Sequence, residues 1–158
     1  MTINEAYNFF KSLRTETDKK SEIKIYGNFI GILSDLENRD FTEEERQSIE
    51  KKLDHLVLKV NPKNRRKYFK NTLNKFKIYL HDKFSLISEG YYTALGMSLG
   101  MCFGTTFGVF FGIGFFDGPE QSYGSGMGLS LGMFIGLLIG HYMDNQVIEQ
   151  GRVLKTKI

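Results

Sequence analysis

Residues 96–112 read GMSLGMCFGTTFGVFFG, and residues 124–140 read GSGMGLSLGMFIGLLIG. In both stretches glycine recurs at every fourth position, and residues four apart lie on one face of an α-helix. Each stretch therefore forms a smooth ridge, which we call a glycine ladder. The first ladder consists of Gly96, Gly100, Gly104, Gly108 and Gly112, and the second of Gly124, Gly128, Gly132, Gly136 and Gly140.

A glycine ladder predicts close packing between helices. In water, each glycine inside a helix costs about 0.5–1 kcal/mol relative to alanine, so a regular ladder indicates a compensating contact. Without Cβ atoms, two helix backbones can approach closely, which stabilises helix pairs in lipid. Two arrangements follow: the ladders pack against each other within one chain, or they join different copies of the protein.

The segments around the ladders predict two transmembrane helices. Residues 91–116 and 121–143 contain no Asp, Glu, Lys or Arg, and residues 117–120 separate them with the sequence DGPE. Each segment exceeds the roughly 20 residues with which a helix crosses about 30 Å of hydrocarbon. We therefore predict a two-span hairpin at 89–144 with a short loop at 117–120. The alternative is a buried glycine-rich hairpin in the core of a soluble protein.

The N-terminal part predicts a bundle of amphipathic helices. Apolar residues recur at helical spacing, and we predict helices at 3–17, 20–38, 43–59 and 63–88. Thr2 with Glu5 and Thr42 with Glu45 fit the capping-box pattern that begins helices. The predicted fold is thus all-α: a helical domain at 1–88, the hairpin, and a basic tail at 145–158.

Charge along the chain predicts how the protein lies in a membrane. Residues 61–86 carry eight basic and one acidic side chain, and three further bases follow residue 151. Loops rich in Lys and Arg stay in the cytoplasm, so we expect a multi-pass protein of the bacterial cytoplasmic membrane with both termini inside. The cations expected to contact anionic lipids are Lys63, Arg65, Arg66, Lys67, Lys70, Lys75, Lys77 and Lys83. A plain solvated helix face and, less favoured, nucleic-acid binding are the alternatives.

The sequence offers little chemistry for catalysis. It has one Cys, and its three His lack zinc-site spacing, so we expect no metal, no cofactor and no enzymatic activity. His141 and Asp144 are three apart and suit either a shared proton or ion, or an ordinary helix end. The hydroxyl residues near the middle of the spans, which would line a path in a pore, are Ser98, Thr105, Thr106 and Ser130.

The ladders resemble the glycine zippers of membrane proteins. The whole plan resembles uncharacterised bacterial proteins that join a small helical cytosolic region to a two-span glycine-zipper hairpin. The resemblance implies tight helix packing and homo-oligomers. Two functions follow as hypotheses: a non-enzymatic, self-associating membrane scaffold or sensor, or an oligomeric pore or channel gated by the helical domain.

Overall fold

The computed structural model of the protein describes residues 1–56, 58, 60, 62–115 and 121–155, and for residues 113–115 and 121–123 it describes the backbone. The predicted all-α fold is confirmed. Six helices occupy the described residues: α1 (Ile3–Thr15), α2 (Lys20–Glu37), α3 (Glu43–His55), α4 (Arg65–Phe84), α5 (Tyr91–Phe115) and α6 (Gln121–Glu149). The two strands are β1 (Ile87–Ser88) and β2 (Val153–Leu154). The chain divides into two compact units, one of Met1–Ser88 with the chain from Val153, and one of Glu89–Arg152.

Both predicted capping boxes are confirmed. The Thr2 hydroxyl accepts from the Glu5 amide at 3.1 Å, while the Glu5 carboxylate accepts from the Thr2 amide at 3.0 Å. Thr42 and Glu45 repeat the same exchange at the start of α3. These reciprocal bonds satisfy backbone donors that the first turn of a helix leaves free.

The first unit has an aromatic core. The rings of Phe10 and Phe29 stack at a centroid distance of 4.0 Å, and Phe69 from α4 meets Phe10 edge-on at 5.8 Å. Tyr26 and Phe76 extend this cluster along α2 and α4. Ring pairs in offset or edge-to-face geometry add to the free energy of burying their area. The apolar residues that recur at helical spacing in α2 and α4 therefore meet in one core.

Helix α4 ends earlier than residue 88, where the sequence predicted its end. Ser85 adopts the left-handed conformation, with φ 53°, and its amide bonds back to the carbonyls of Leu80 and His81. After this cap the chain extends, and Ile87 becomes buried in strand β1. The apolar residues after Phe84 therefore keep the spacing expected of a helix, although α4 has ended before them.

Strand β1 pairs with β2 in parallel, with Ile87 opposite Val153 and Ser88 opposite Leu154. The side chain of Leu154 is 0% exposed and belongs to the core of the first unit. Arg39 donates from Nη2 to the Val153 carbonyl at 2.7 Å. The segment predicted as a basic tail from residue 145 is therefore helical to Glu149 and then supplies a strand, while residues 156–158 lie outside the described part.

The second unit is a pair of long helices. Within the candidate spans Tyr91–Gly112 of α5 and Gly124–Glu149 of α6, the most apolar stretches of 18 residues have mean hydropathy 1.5 and 1.4, and 6% and 11% of those stretches are buried. A helix in the core of a soluble protein would be mostly buried. Both helices are long and apolar enough to cross a membrane, and their apolar side chains lie on the outside. The predicted loop at 117–120 lies outside the described residues.

Candidate functional site

The two glycine ladders face each other within one chain. A Cβ atom built on Gly104 would lie 2.8 Å from the Cα of Gly132, and one built on Gly128 would lie 2.6 Å from the Cα of Gly108. Real Cβ atoms do not come so close to backbone atoms. Of the two arrangements open from the sequence, the structure therefore has the ladders packed inside the hairpin.

The ladder contacts follow a regular antiparallel register. At each step, a carbonyl oxygen of the other helix is the atom nearest to the Cβ built on the glycine. The pairs are Gly96 with Gly136, Gly100 with Gly132, Gly104 with Gly128, and Gly108 with Gly124, while Gly112 lies against Gly124. Gly140 continues the series against the backbone of Tyr92 and Thr93. At this separation, van der Waals packing and Cα–H···O contacts hold helices together without a hydrophobic drive.

Other glycines of the hairpin have different roles. A Cβ atom on Gly126 would meet nothing within 4 Å, so this glycine is not part of the contact. Gly90 and Gly151 have φ of 73° and 66°, a left-handed conformation that L side chains rarely adopt. Gly90 directly precedes α5, and Gly151 follows α6, so these two glycines begin and end the hairpin.

Asp144 extends the second ladder by one more step of four residues. Its side chain is buried, and its carboxylate accepts three hydrogen bonds from the start of α5. Oδ1 accepts from the Tyr92 amide at 3.0 Å, and Oδ2 accepts from the amide and the hydroxyl of Thr93 at 2.9 and 2.6 Å. An anion at this position satisfies free amide donors and complements the positive end of the helix dipole. Asp144 is therefore an N-cap supplied by a different helix.

Sequence reasoning missed this cap because it paired Asp144 with His141. In the structure, His141 contacts Asn145 instead, with Nε2 and Nδ2 3.4 Å apart. Two signals in the sequence point to the observed pairing. Residue 144 keeps the four-residue spacing of the ladder, and Gly90, just before α5, has no side chain with which to cap the helix.

The outer surface of the hairpin is apolar. One side carries a groove of about 830 Å³. Its floor consists of ladder glycines, and its walls are the exposed side chains of Leu99, Phe103, Phe107, Phe111, Met127, Leu131, Ile135 and Ile139. The hydroxyl groups predicted to line a path in a pore are bonded to their own helix. Ser98, Thr105, Thr106 and Ser130 each donate to the carbonyl four residues earlier, at 2.7–3.0 Å.

The eight cations proposed for lipid contact divide into two groups in the first unit. Arg65 and Lys77 are half-buried, and burial lowers the pKa of the Lys77 ammonium from its ordinary value. The other six are exposed: Lys63, Arg66, Lys67, Lys70, Lys75 and Lys83. Of the eight cations predicted to contact anionic lipid, the structure therefore leaves six exposed to a ligand.

One part of this basic surface is concave. A groove of about 460 Å³ is lined by Lys52, Lys75, Lys83, Ile78, Tyr79 and Asp82. The Lys52 ammonium lies 5.1 Å from the centre of the Tyr79 ring, which orients it by a cation–π contact. The side chain of Ile78 is 59% exposed in the same groove. Sequence reasoning missed Lys52 because it comes from α3, a different helix from the basic run.

Within the described residues, no group of three His, Cys, Asp or Glu side chains is placed to hold a metal ion. Comparison with protein-family models, with curated proteins and with solved structures finds no match to this chain. The resemblance to glycine-zipper membrane proteins therefore stays a prediction from the residues themselves.

Proposed function

We propose that the protein is a non-enzymatic integral protein of the bacterial cytoplasmic membrane and acts as a membrane scaffold or sensor. In this proposal the hairpin crosses the bilayer twice, and the helical domain is on the cytoplasmic side. The observation that carries it is the construction of the hairpin. The backbones of α5 and α6 pack closely at the glycine ladders. The large apolar side chains, such as Phe103, Phe107 and Phe110, are exposed outside this contact.

The distribution of charge supports the orientation. The exposed bases of α4 precede the first long helix, and Arg152 and Lys155 follow the second. The sequence between the helices has two acids and no base. Cytoplasmic loops carry the excess of Lys and Arg, so both termini belong in the cytoplasm.

The exposed bases also support contact with anionic lipid. Each Lys or Arg close to an anionic leaflet contributes about 1 kcal/mol of attraction. The six exposed cations between residues 63 and 83, together with Lys52, are the residues expected to make this contact. The half-buried Lys77 and Arg65 are expected to contribute less.

Self-association is part of the proposal, and we expect it to use the outer faces of the hairpin. Because the ladders already pack against each other, a second copy would meet the exposed rows of Leu99, Phe103 and Phe107 or of Leu131 and Ile135. Van der Waals packing of such rows is the interaction available between helices in lipid.

Membrane extraction and labelling test the location and topology. We expect the full chain to stay in the membrane fraction after a carbonate wash. A cysteine placed in the sequence 117–120 is expected to react with a membrane-impermeant maleimide from outside the cell, and one replacing Lys155 is not. Release by carbonate, or the reverse labelling pattern, contradicts the proposal.

Disulfide crosslinking tests self-association through the exposed row of α5. Cys102 is exposed and lies two residues from both Gly100 and Gly104, which puts it on the far side of α5 from the ladder. Oxidation in membranes with a lipid-soluble copper catalyst is expected to give disulfide-linked dimers when the thiol is moved into that row by Cys102→Ser with Phe103→Cys. The matched control is the native Cys102, which lies about 100° around α5 from Phe103 and is expected to give less dimer. Monomer alone for both proteins contradicts self-association through this row.

The alternative function is an oligomeric pore gated by the helical domain. The four hydroxyl groups that would line a path are bonded to their own helix carbonyls, which disfavours it. Conductance of the purified oligomer in planar bilayers is the deciding measurement, and sustained ion currents would favour the pore over the scaffold.

A further inference from the structure

The glycine ladders alone do not define how far one helix is advanced along the other. Glycine repeats every four residues in both ladders, so a shift of four residues again brings glycine against glycine. Such a shift moves one helix by about 6 Å. For example, Gly104 would pass from Gly128 to its neighbour Gly132 or Gly124, with the same backbone shape at the contact. A repetitive contact of this kind needs a unique feature to select one register.

Asp144 is that unique feature among the described ladder positions. It is the charged residue in a series otherwise made of glycine, and it is 8% exposed. Its carboxylate is matched to amides that exist only at the start of α5, because the first amides of a helix have no partner within the helix. After a shift of four residues, the carboxylate would face amides that are already bonded along α5, or would pass the end of the helix.

The start of α5 depends on this contact in return. The first turn of α5 contains no acidic residue, and Gly90 before it has no side chain. The other helices that begin with an amide-capping side chain, α1, α3 and α4, use Thr2, Thr42 and Asn64 from their own segment. In α5 the capping side chain is that of Asp144, which is 52 positions from Tyr92 in the sequence.

We propose that the Asp144 carboxylate is an interhelical cap that selects the register of the glycine ladders and holds the hairpin closed at this end. A single buried polar group fixes register in other repetitive helix contacts for the same reason, since every other register leaves the group unpaired. Thr93 assists through its hydroxyl, so it is the second residue of the cap.

The experiment measures distances between nitroxide spin labels in the full chain, in lipid nanodiscs and on a Cys102→Ser background. One label pair, Leu95→Cys with Leu138→Cys, is one turn inside the cap. The other, Phe107→Cys with Met127→Cys, is about three turns further along. All four side chains are exposed. The variants are Asp144→Ala, Thr93→Val and, as the matched control, Asn145→Ala, which removes the neighbouring exposed side chain of α6.

We expect Asp144→Ala to lengthen or broaden the distance near the cap. Slippage by four residues would add a second population at both label pairs, displaced by about 6 Å along the helices, whereas opening at the end would change only the pair near the cap. Either result supports the proposal. Thr93→Val is expected to give a smaller change in the same direction, because both amide bonds remain.

Unchanged distances at both pairs for Asp144→Ala would overturn the proposal, as would an equal change for Asn145→Ala. If Asp144→Ala does not give a folded protein, the label distances in Thr93→Val are the test. Distances equal to those of the wild type in this variant would then count against the cap. These distances are read within one chain, so a failure of self-association or of the proposed orientation would leave this test intact.

Discussion

At the scale of single residues, two tyrosines of the first unit differ in how their hydroxyl groups are satisfied. The hydroxyl of Tyr26 is buried without a hydrogen-bond partner among the described residues, and its pKa is raised by burial and by the charge of Glu22. The hydroxyl of Tyr79 contacts the Ser48 side chain at 2.7 Å and donates to the Ser48 carbonyl at 3.0 Å. A buried donor without a partner costs free energy, whereas a partnered donor contributes some.

We therefore expect Tyr26→Phe to raise the free energy of unfolding by about 1 kcal/mol and Tyr79→Phe to lower it by a similar amount. Urea unfolding of the full chain in mild detergent, followed by near-ultraviolet circular dichroism, measures both. The two substitutions delete the same atom, so each is the control for the other. Equal destabilisation by both would contradict the assignment.

Lys77 gives a prediction about pH. Burial lowers the pKa of Lys77 below 10.5, so between the lowered pKa and 10.5 the unfolded chain binds more protons than the folded one. The free energy of unfolding therefore gains a contribution that rises with pH in that window. We expect Lys77→Met to raise stability at neutral pH and to remove this rise.

The control for Lys77 is Lys70→Met, which changes an exposed lysine of the same helix. Thermal unfolding at pH 7.5, 9 and 10 compares the three proteins. The difference between wild type and Lys77→Met is expected to shrink as pH rises. A difference that stays constant, or that Lys70→Met reproduces, would count against the desolvation of Lys77.

At the scale of elements, the contact between the two ladders has no room for a side chain larger than that of glycine. A Cβ atom on Gly128 would lie 2.6 Å from the Cα of Gly108, whereas one on Gly126 would meet nothing within 4 Å. Overpacking of a close contact costs about 1–3 kcal/mol. We expect Gly128→Ala to destabilise the hairpin by that amount and Gly126→Ala to leave it unchanged.

Unfolding of the hairpin in mixed micelles by increasing sodium dodecyl sulfate measures this difference. Both glycines lie in α6, two residues apart, so the two variants share length, depth and helix propensity. If the two alanine variants unfold at the same detergent fraction, the ladders do not form the contact that holds the hairpin.

The sequence was sufficient to predict the elements that rest on periodic patterns. The capping residues Thr2 and Thr42, the apolar stripes of the first unit and the four-residue glycine spacing each specify local structure through their neighbours. The sequence was not sufficient where the partner is distant. The end of α4 depends on a left-handed Ser85, and β1 and β2 are two residues each, which is too short for any period. Asp144 finds its partners 51 and 52 positions away.

At the scale of the whole molecule, the first unit is built from two separate parts of the chain. Leu154 is fully buried in its core, beside strand β1, although the hairpin separates it from the rest of the unit in sequence. Leu154→Ala in the full chain is expected to lower the stability of the first unit by about 2–5 kcal/mol, as for other buried leucines.

Lys155→Ala is the control, because this exposed neighbour should change stability by no more than about 0.5 kcal/mol. Limited proteolysis of the helical domain, read as the rate at which fragments of 1–88 disappear, measures both variants. Equal rates for Leu154→Ala and wild type would show that the core does not need the second segment.

The pairing of β1 with β2 also orders events during synthesis. A ribosome completes residues 1–88 first, then the hairpin, and only then Val153 and Leu154. While the hairpin is being made, Ile87 and Ser88 have no strand beside them and the core lacks Leu154. The helical domain therefore receives its last core residue and its second strand only after the hairpin has been synthesised.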